Sequence, residues 1–155
     1  MSVARTPHSR DLRKGRVSEP GRVYHVRTST ADRQALFADL FLGREVVGAM
    51  RFQQERGAVD SLAFVLMPTH LHWLFALTGT LALDAVMQSV KGFSAQQINA
   101  RLGRHGPVWQ EGYFDRALRA EEDLKQVARY IVANPLRAGL VTSCRDWPLW
   151  DAKWV

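Results

Sequence analysis

The sequence predicts an α+β fold, because stretches with the hydrophobic periods of strands and helices alternate along its 155 residues. Short β-rich or continuous apolar runs are interleaved with longer stretches of helical spacing, in the order β-α-β-β-α-β-α. This order is typical of a ferredoxin-like sandwich, a four-stranded antiparallel sheet with helices on one face. With 46% hydrophobic and 23% charged residues, the chain can bury one such core. The other face of the sheet is then available to a ligand.

The first predicted strand and helix lie within the first third of the chain. Residues 22–29 (RVYHVRTS) are rich in β-forming residues and predict a strand. Thr30 or Asp32 is placed to cap a following helix, in which apolar residues of 36–50 recur at helical spacing.

Two adjacent strands are predicted next. Residues 62–67 form a continuous apolar run, which is typical of a strand covered on both faces. Pro68 and Thr69 make a tight connection to a strand over 70–77, so the two strands should be antiparallel neighbours. The stretch 61–83 lacks Asp, Glu, Lys and Arg, but its central proline and histidines argue against a membrane span. No membrane partner is therefore expected.

The second half of the chain predicts a helix, a strand and two further helical segments. Apolar residues recur at helical spacing from Leu83 to Leu102, and residues 108–119 (VWQEGYFDRALR) form the fourth strand. Acidic residues at 121–123 favour a helix start, and this helix runs to about Asn134 because a proline follows. A second short helix or turn follows over 136–141.

Both ends of the chain are predicted to lie outside the domain core. Lys and Arg outnumber Asp and Glu by 21 to 15, giving a net charge of +6, and the excess concentrates near the N-terminus. Residues 1–20 are expected to form a flexible basic arm that binds nucleic-acid phosphates, with a solvated terminus as the alternative. Residues 142–155, with Trp147, Trp150 and Trp154, are expected to form a tail that packs on the domain.

Cysteine content and the opening residues indicate the compartment. The single cysteine, Cys144, excludes an intramolecular disulfide framework and any multi-cysteine metal site. The opening residues also lack the pattern of a secretory signal. A protein of the reducing cytoplasm is therefore expected.

His70 and His72 are the sharpest local signal in the sequence. Side chains alternate along a strand, so both imidazoles should project from the face of the sheet opposite Leu71 and Trp73. Two such histidines suit a divalent metal, although ordinary polar residues beside a turn explain the same pattern. The sequence contains no H-E-x-x-H motif, and its other histidines are scattered: His8, His25 and His105.

Tyr130 and Asn134 form a second constellation on the last long helix. They are four residues apart, hence neighbours on one face, and they lie at the edge of its apolar stripe. A tyrosine at such an edge is commonly a packing residue, and Asn-Pro is a common helix stop. The residues themselves leave both interpretations open.

Three segments taken together resemble a known family. The linked order is H-hydrophobic-H, then W-Q-x-G-aromatic-x-D, then Y-I-x-x-N-P-x-R-A, carried by residues 67–75, 108–119 and 129–141. This order is similar to that of REP-associated tyrosine transposases, which are single-tyrosine HUH transposases of bacterial insertion sequences. Residues 21–37 and 90–99 also look like that family, so the resemblance spans about 21–150. It implies an HUH transposase domain over 21–141.

The resemblance implies a role for each matching residue. His70, His72 and Asn134 correspond to the ligands of Mg²⁺ or Mn²⁺, and Tyr130 corresponds to the nucleophile that forms a 5′-phosphotyrosine intermediate. In the wider superfamily the position of Asn134 is often Gln, whereas this subfamily shares Asn. Gln126, one turn before Tyr130, is a candidate to orient its hydroxyl.

The resemblance also implies single-stranded DNA with short palindromic hairpins as the partner, and no nucleotide cofactor. Arginines contact phosphates and exposed aromatics stack on unpaired bases. The residues predicted to bind DNA are Arg13, Lys14, Arg16, Trp109, Arg116, Arg119, Arg129 and Arg137. The wider superfamily often works as dimers, whereas this subfamily can act as a monomer, and a monomer is expected here.

The predicted function is metal-dependent DNA nicking and strand transfer, the activity of a transposase. The main alternative is a domesticated hairpin-binding protein without catalysis. An HUH protein of replication initiation or plasmid mobilisation, and an RNA-binding ferredoxin-like domain, are further alternatives. The first predicted strand lacks the paired aromatics of an RNA-recognition motif, which argues against the last.

Overall fold

A mixed α/β architecture with an antiparallel sheet is observed in the computed structural model, which describes residues 21–118 and 123–153. The sheet order is β4-β1-β3-β2-β5, so the predicted class is confirmed but the sheet has five strands rather than four. The elements are β1 (Val23–Ser29), α1 (Leu40–Glu55), β2 (Val59–Leu66), β3 (His70–Leu77), α2 (Leu83–Leu102), β4 (Phe114–Ala117), α3 (Leu124–Val132), α4 (Asn134–Arg137) and β5 (Trp150–Ala152).

The extra strand, β5, comes from the C-terminal tail. It pairs antiparallel with β2, and just before it the Leu66 N–H donates to the Leu149 carbonyl at 2.9 Å. The Trp147 indole N–H donates to the Leu66 carbonyl at 3.0 Å. Gly43 on α1 accommodates the tail, because a Cβ there would lie 2.5 Å from a Leu149 methyl carbon. A three-residue strand is too short to leave a readable hydrophobic pattern.

The first helix begins later than the sequence predicted. Asp39 caps α1, since its carboxylate accepts hydrogen bonds from the N–H groups of Phe41 and Leu42. The cap predicted at Thr30 or Asp32 is wrong. The Thr30 hydroxyl instead donates to the Gln34 carbonyl, and residues 31–33 and 36–38 form short 3₁₀ turns. The apolar residues of these turns continue the helical spacing of α1, so the sequence predicted the turns and the helix as one element.

The β2–β3 hairpin forms as predicted. The two strands are antiparallel neighbours, with Leu66 opposite Leu71, and the Met67 N–H donates to the His70 carbonyl across the turn. The uncharged stretch thus forms paired strands. Within residues 21–118 and 123–153, no helix has the length and apolar character needed to cross a membrane.

Helices cover both faces of the sheet, whereas the sequence predicted one covered face. Leu71, Trp73 and Phe75 pack with residues of α1 and α2 in the larger core. Leu74 points the other way and packs with α3, which lies against β2, β3 and β5. The second face is therefore only partly open, on the side formed by β1 and β4.

The fourth strand is shorter than predicted, four residues rather than twelve. The segment before it is an irregular scaffold: the Lys91 ammonium donates to the carbonyls of Gln110 and Gly112, and Gly112 has a φ of +79°. The last long helix also ends earlier, at Val132, and a turn at Ala133 separates it from α4.

Candidate active site

The histidine pair lies on the partly open face of the sheet. The ring centroids of His70 and His72 are 5.1 Å apart. The neighbouring strand β1 places Ser29 opposite His70 and Arg27 opposite His72. Directly paired residues share a face of the sheet, so Arg27 lies on the same surface as the imidazoles.

Each imidazole of the pair has its Nδ1 occupied by a partner within the protein. Nδ1 of His72 lies 3.0 Å from Nε2 of His25, and Nδ1 of His70 lies 3.1 Å from the Thr69 hydroxyl. This arrangement leaves the Nε2 atom of each ring for a ligand.

Burial keeps the three imidazoles neutral. Desolvation, with a smaller effect of nearby positive charges, lowers the pKa of His25 and of His70 to about 4 and that of His72 to about 2. A neutral imidazole is the form that binds a metal ion. The fixed charges that add to the lowering of these pKa values belong to Arg27, Arg33, Arg116 and Arg137.

Tyr130 is the exposed tyrosine of the chain. Helix α3 is capped by Asp123 and packs its apolar stripe, including Ile131, on the sheet. Tyr130 lies at the edge of this stripe and is 58% exposed, whereas Tyr24 and Tyr113 are 6% and 5% exposed. Of the three tyrosines, Tyr130 alone has a ring that is exposed at the surface.

Arg137 connects the tyrosine to the other candidate residues. Its guanidinium carbon lies 3.7 Å from the centroid of the Tyr130 ring, and its Nη2 donates to Oδ1 of Asn134 at 2.9 Å. Its charge also helps to lower the pKa of His72. Arg137 therefore contacts both Tyr130 of α3 and Asn134 of α4, and its charge acts on His72 of β3.

The donor set suits a divalent metal, although it contains no carboxylate. Within the described ranges, no three or more His, Cys, Asp or Glu side chains are grouped to hold a metal ion. His70 and His72 fit such an ion, because both rings are neutral and turn the same nitrogen away from their protein partners. An amide oxygen has two lone pairs, so the bond from Arg137 leaves one on Asn134 for a ligand.

One predicted DNA contact is wrong. Trp109 is only 7% exposed, and its indole N–H donates to the Ser94 hydroxyl at 3.0 Å, so it cannot stack on a base. An apolar scaffold encloses it, including Phe37 at a ring distance of 5.3 Å. A tryptophan in a mixed-polarity segment gives no signal of this burial.

The other predicted site residues divide into exposed residues and residues outside the described ranges. Arg116, Arg129 and Gln126 are exposed, and Gln126 lies on α3 one turn before Tyr130. The predicted contacts Arg13, Lys14, Arg16 and Arg119 lie outside the described residues.

Sequence reasoning missed two residues of the site, His25 and Arg27. Both belong to β1 and lie beside the histidine pair. The sequence predicts that His25 and Arg27 point to the same face of β1. Placing them beside the histidine pair requires knowing that β1 pairs with β3.

The fold and the candidate residues define a class: a small α+β domain with two histidines on a central strand and one exposed tyrosine on a helix that packs against the same sheet. The sequence matches the family of IS200-like transposases over residues 21–134. The chain belongs to this family.

Curated relatives carry the more specific description. The chain is 25% identical over 99 residues to a Haemophilus influenzae protein assigned as a REP-associated tyrosine transposase, covering 57% of this chain and 56% of that protein. It is 28% identical over 87 residues to the REP-associated tyrosine transposase of Escherichia coli K12, covering 56% and 50%. The chain thus spans about half the length of the curated relatives it matches. The resemblance predicted from the sequence is confirmed.

Solved structures show the same fold. A REP-associated tyrosine transposase bound to a REP hairpin superposes with a TM-score of 0.71 at 20% identity, covering 97% of this chain and 82% of that chain. A Deinococcus radiodurans protein assigned as a transposase superposes with a TM-score of 0.54 at 20% identity, covering 84% and 95%.

Proposed function

We propose that this chain cleaves and rejoins single-stranded DNA at short hairpins, as a transposase with Tyr130 as its nucleophile. One observation carries the proposal: the Arg137 guanidinium contacts Tyr130 and Asn134. One side chain thereby joins the proposed nucleophile to the proposed ligand Asn134, and its charge also acts on His72. Membership of the IS200-like family supports transposition, and the relative solved with a REP hairpin supports hairpin DNA as the partner.

The chemical step is an in-line transfer at phosphorus. The phenolic oxygen of Tyr130 forms a bond to phosphorus while the bond from phosphorus to the 3′-oxygen breaks. The products are a 5′-phosphotyrosine and a 3′-hydroxyl, since the phenol loses a proton and the leaving oxygen gains one. Another 3′-hydroxyl can reverse the step and join strands. The Arg137 guanidinium lies over the ring and helps to hold its orientation for the attack.

His70, His72 and Asn134 are the proposed holders of Mg²⁺ or Mn²⁺. When bound there, such an ion supplies a Lewis acid for a non-bridging phosphate oxygen. The protein contributes two neutral imidazoles and an amide oxygen, none of which reduces the positive charge available to the phosphate. Thr69 and His25 hold the imidazoles by their Nδ1 atoms.

Arginines on the same surface are the proposed phosphate contacts. Arg27 lies opposite His72 on β1, Arg116 lies opposite His25 on β4, and Arg129 is exposed on α3. Arginine side chains neutralise the DNA backbone and position it without reading its sequence. The contacts predicted for Arg13, Lys14, Arg16 and Arg119 remain proposals of the same kind.

We further propose that one chain acts alone, in the cytoplasm. Arg137 contacts Tyr130 and Asn134 within one chain and its charge acts on His72 of that chain, which supports a site built from a single copy. Sedimentation of the protein with and without hairpin DNA tests this proposal, and a stable dimer in either sample would contradict the monomer.

Covalent trapping tests the nuclease proposal. The protein is incubated with labelled single-stranded hairpin DNA from intergenic repeats of its own genome, with Mg²⁺ or Mn²⁺, and resolved on denaturing gels. We expect an adduct that disappears in Tyr130→Phe, in His70→Ala and with EDTA. The matched control is Tyr24→Phe, which changes a buried tyrosine and should retain the adduct.

A hairpin-binding protein without catalysis is the second candidate. Tight hairpin binding with no adduct under either metal would favour it and contradict cleavage. Neither binding nor an adduct, across several repeat hairpins, would contradict both candidates.

A further inference from the structure

His25 makes a hydrogen bond to a proposed metal ligand. Its Nε2 lies 3.0 Å from Nδ1 of His72, and the ring centroids are 5.2 Å apart. A hydrogen bond between two ring nitrogens needs one donor and one acceptor, so a single proton lies between these two nitrogens. The position of that proton decides which nitrogen of His72 has a free lone pair.

Only one of the two arrangements allows His72 to bind a metal. If the proton is on Nδ1 of His72, then Nε2 of His72 carries the lone pair. If the proton is on Nε2 of His25, then His72 carries its own proton on Nε2 and has no lone pair left for an ion. A metal-binding histidine normally donates its second ring N–H to a partner that fixes its tautomer and orientation.

We propose that His25 is a positioning residue, which accepts the Nδ1–H of His72 and thereby fixes the tautomer whose Nε2 faces the ligand. The inference rests on the proposed function, because it assigns His72 to the metal. Because Nε2 of His25 is then the acceptor, the proton of the neutral His25 ring must lie on its Nδ1.

The sheet holds His25 in place for this role. Strand β1 pairs with β3 on one side and with β4 on the other, which fixes the backbone of His25 on both edges. His25 is opposite Leu74, so His72 is its diagonal neighbour, within reach of a ring. At His70 the corresponding partner is the Thr69 hydroxyl, which can rotate and serve as donor or acceptor. The backbone of His25 is fixed on both edges by the sheet, so its Nε2 stays in place to accept from His72.

Nitrogen NMR on the metal-free protein tests the proton position directly. Protein labelled with ¹⁵N-histidine at neutral pH is examined through long-range couplings between ring nitrogens and ring protons. We expect both His25 and His72 to carry the proton on Nδ1. A proton on Nε2 of His72 would overturn the inference without requiring any variant to fold.

Variants test the consequence for metal binding. In His25→Leu the acceptor is lost, and Mn²⁺ affinity measured by calorimetry should fall about 10- to 100-fold. In His25→Gln an amide oxygen can accept from Nδ1–H, so affinity should recover to within a few-fold of the wild type. His105→Leu, which removes an exposed histidine of the loop after α2, is the control and should bind as the wild type does. Thermal unfolding verifies that each variant is folded.

The outcomes separate this inference from the proposed function. Equal Mn²⁺ binding and adduct formation by wild type and His25→Leu would overturn the role of His25 and leave the nuclease standing. A wild-type protein that binds no Mn²⁺ would overturn both the inference and the proposed metal site.

Discussion

Arg137 shows how the position of one side chain changes its interpretation. The sequence predicted a phosphate contact, whereas the structure shows the guanidinium stacked on the Tyr130 ring and bonded to Asn134. A planar guanidinium can make both contacts at once, and an ammonium group cannot. Arg137 therefore acts on the geometry of the proposed nucleophile and ligand in addition to any contact with DNA.

Replacing Arg137 by Lys should slow adduct formation more than it weakens hairpin binding. The charge is kept, but the stacking and the bond to Asn134 are lost, and misplacement of a nucleophile costs about 10- to 100-fold in rate. Single-turnover adduct rates at saturating DNA, beside measured hairpin affinities, check this expectation. Arg51→Lys, a change at an exposed arginine of α1, is the control. An unchanged rate with weaker binding would mean that Arg137 is only a phosphate contact.

The buried histidines should make the metal-free protein less stable as the pH falls. Unfolded histidine has a pKa of about 6.5. In the folded protein the pKa of His25 and of His70 is about 4 and that of His72 about 2, through burial and nearby cations. Below pH 6.5 the unfolded state therefore binds more protons, and the stability present above pH 6.5 is lost as the pH approaches 4.

Urea unfolding at pH 7, 6 and 5 in EDTA measures this effect. Each pH unit below 6.5 can cost up to about 1.4 kcal/mol for each such histidine. His70→Asn should reduce the dependence on pH, and His105→Gln should leave it unchanged. A flat profile for the wild type would contradict the expected burial.

At the residue scale the sequence suggested the principal residues of the candidate site but not the residues beside them. His70, His72, Tyr130 and Asn134 could be proposed because their motifs are local, and their roles stay predictions. His25 and Arg27 were missed because their place at the site depends on which strand pairs with β3. The residues of β1 alone do not reveal that pairing.

Among the elements, α3 is the one on which the proposed chemistry depends. It has nine residues, which is too short to be stable as an isolated helix, so its position depends on packing. Ala128, Ile131 and Val132 supply that packing, together with Ala152 of β5. The last strand of the chain thus helps to hold the helix that carries Tyr130.

Ile131→Ala should loosen α3 while leaving the core under α1 and α2 intact. Ile131 is fully buried, and truncation of such a residue costs about 2–5 kcal/mol. Hydrogen exchange should rise in α3 first, and adduct formation should fall with it. Leu102→Ala, at an exposed position on α2, is the control. Faster exchange throughout the sheet would contradict a local effect.

The sequence predicted regular elements well and irregular ones poorly. Strand β3 and helix α2 have the expected bounds, because each carries an uninterrupted hydrophobic pattern. The segment before β4 and the start of α1 differ from expectation. Their shape comes from tertiary bonds, such as those of Lys91 to loop carbonyls, which no local pattern reveals.

At the scale of the whole molecule, the sheet order explains where the site lies. Strands β1 and β3 are neighbours, and α3 covers the face on the β2 and β5 side. The histidine pair therefore lies where the covered part of that face meets the open part. The prediction from the sequence had most local elements right but included only four strands and left one face of the sheet open. The sequence pattern showed neither the fifth strand nor the position of α3.

Mn²⁺ and hairpin DNA should bind cooperatively. The fixed charges acting on the three histidines belong to Arg27, Arg33, Arg116 and Arg137, which oppose a divalent cation and favour a phosphate. Calorimetric Mn²⁺ affinity should rise about 5- to 150-fold when hairpin DNA is bound, with the same factor for DNA in the presence of Mn²⁺. Arg27→Gln should reduce this factor. Independent binding of the two ligands would contradict the expectation.

If the histidine pair holds a divalent ion as proposed, the arginines around it would also determine the order in which an active complex assembles. Free Mg²⁺ in a cell does not vary with the presence of target DNA, so a site that bound it tightly would be active at every encounter. If the arginines repel the ion until a phosphate is bound, the protein would carry no metal ion while it searches for DNA. Strand cleavage would then be restricted to the time the protein spends on DNA, and dissociation of the DNA would return the protein to its inactive form.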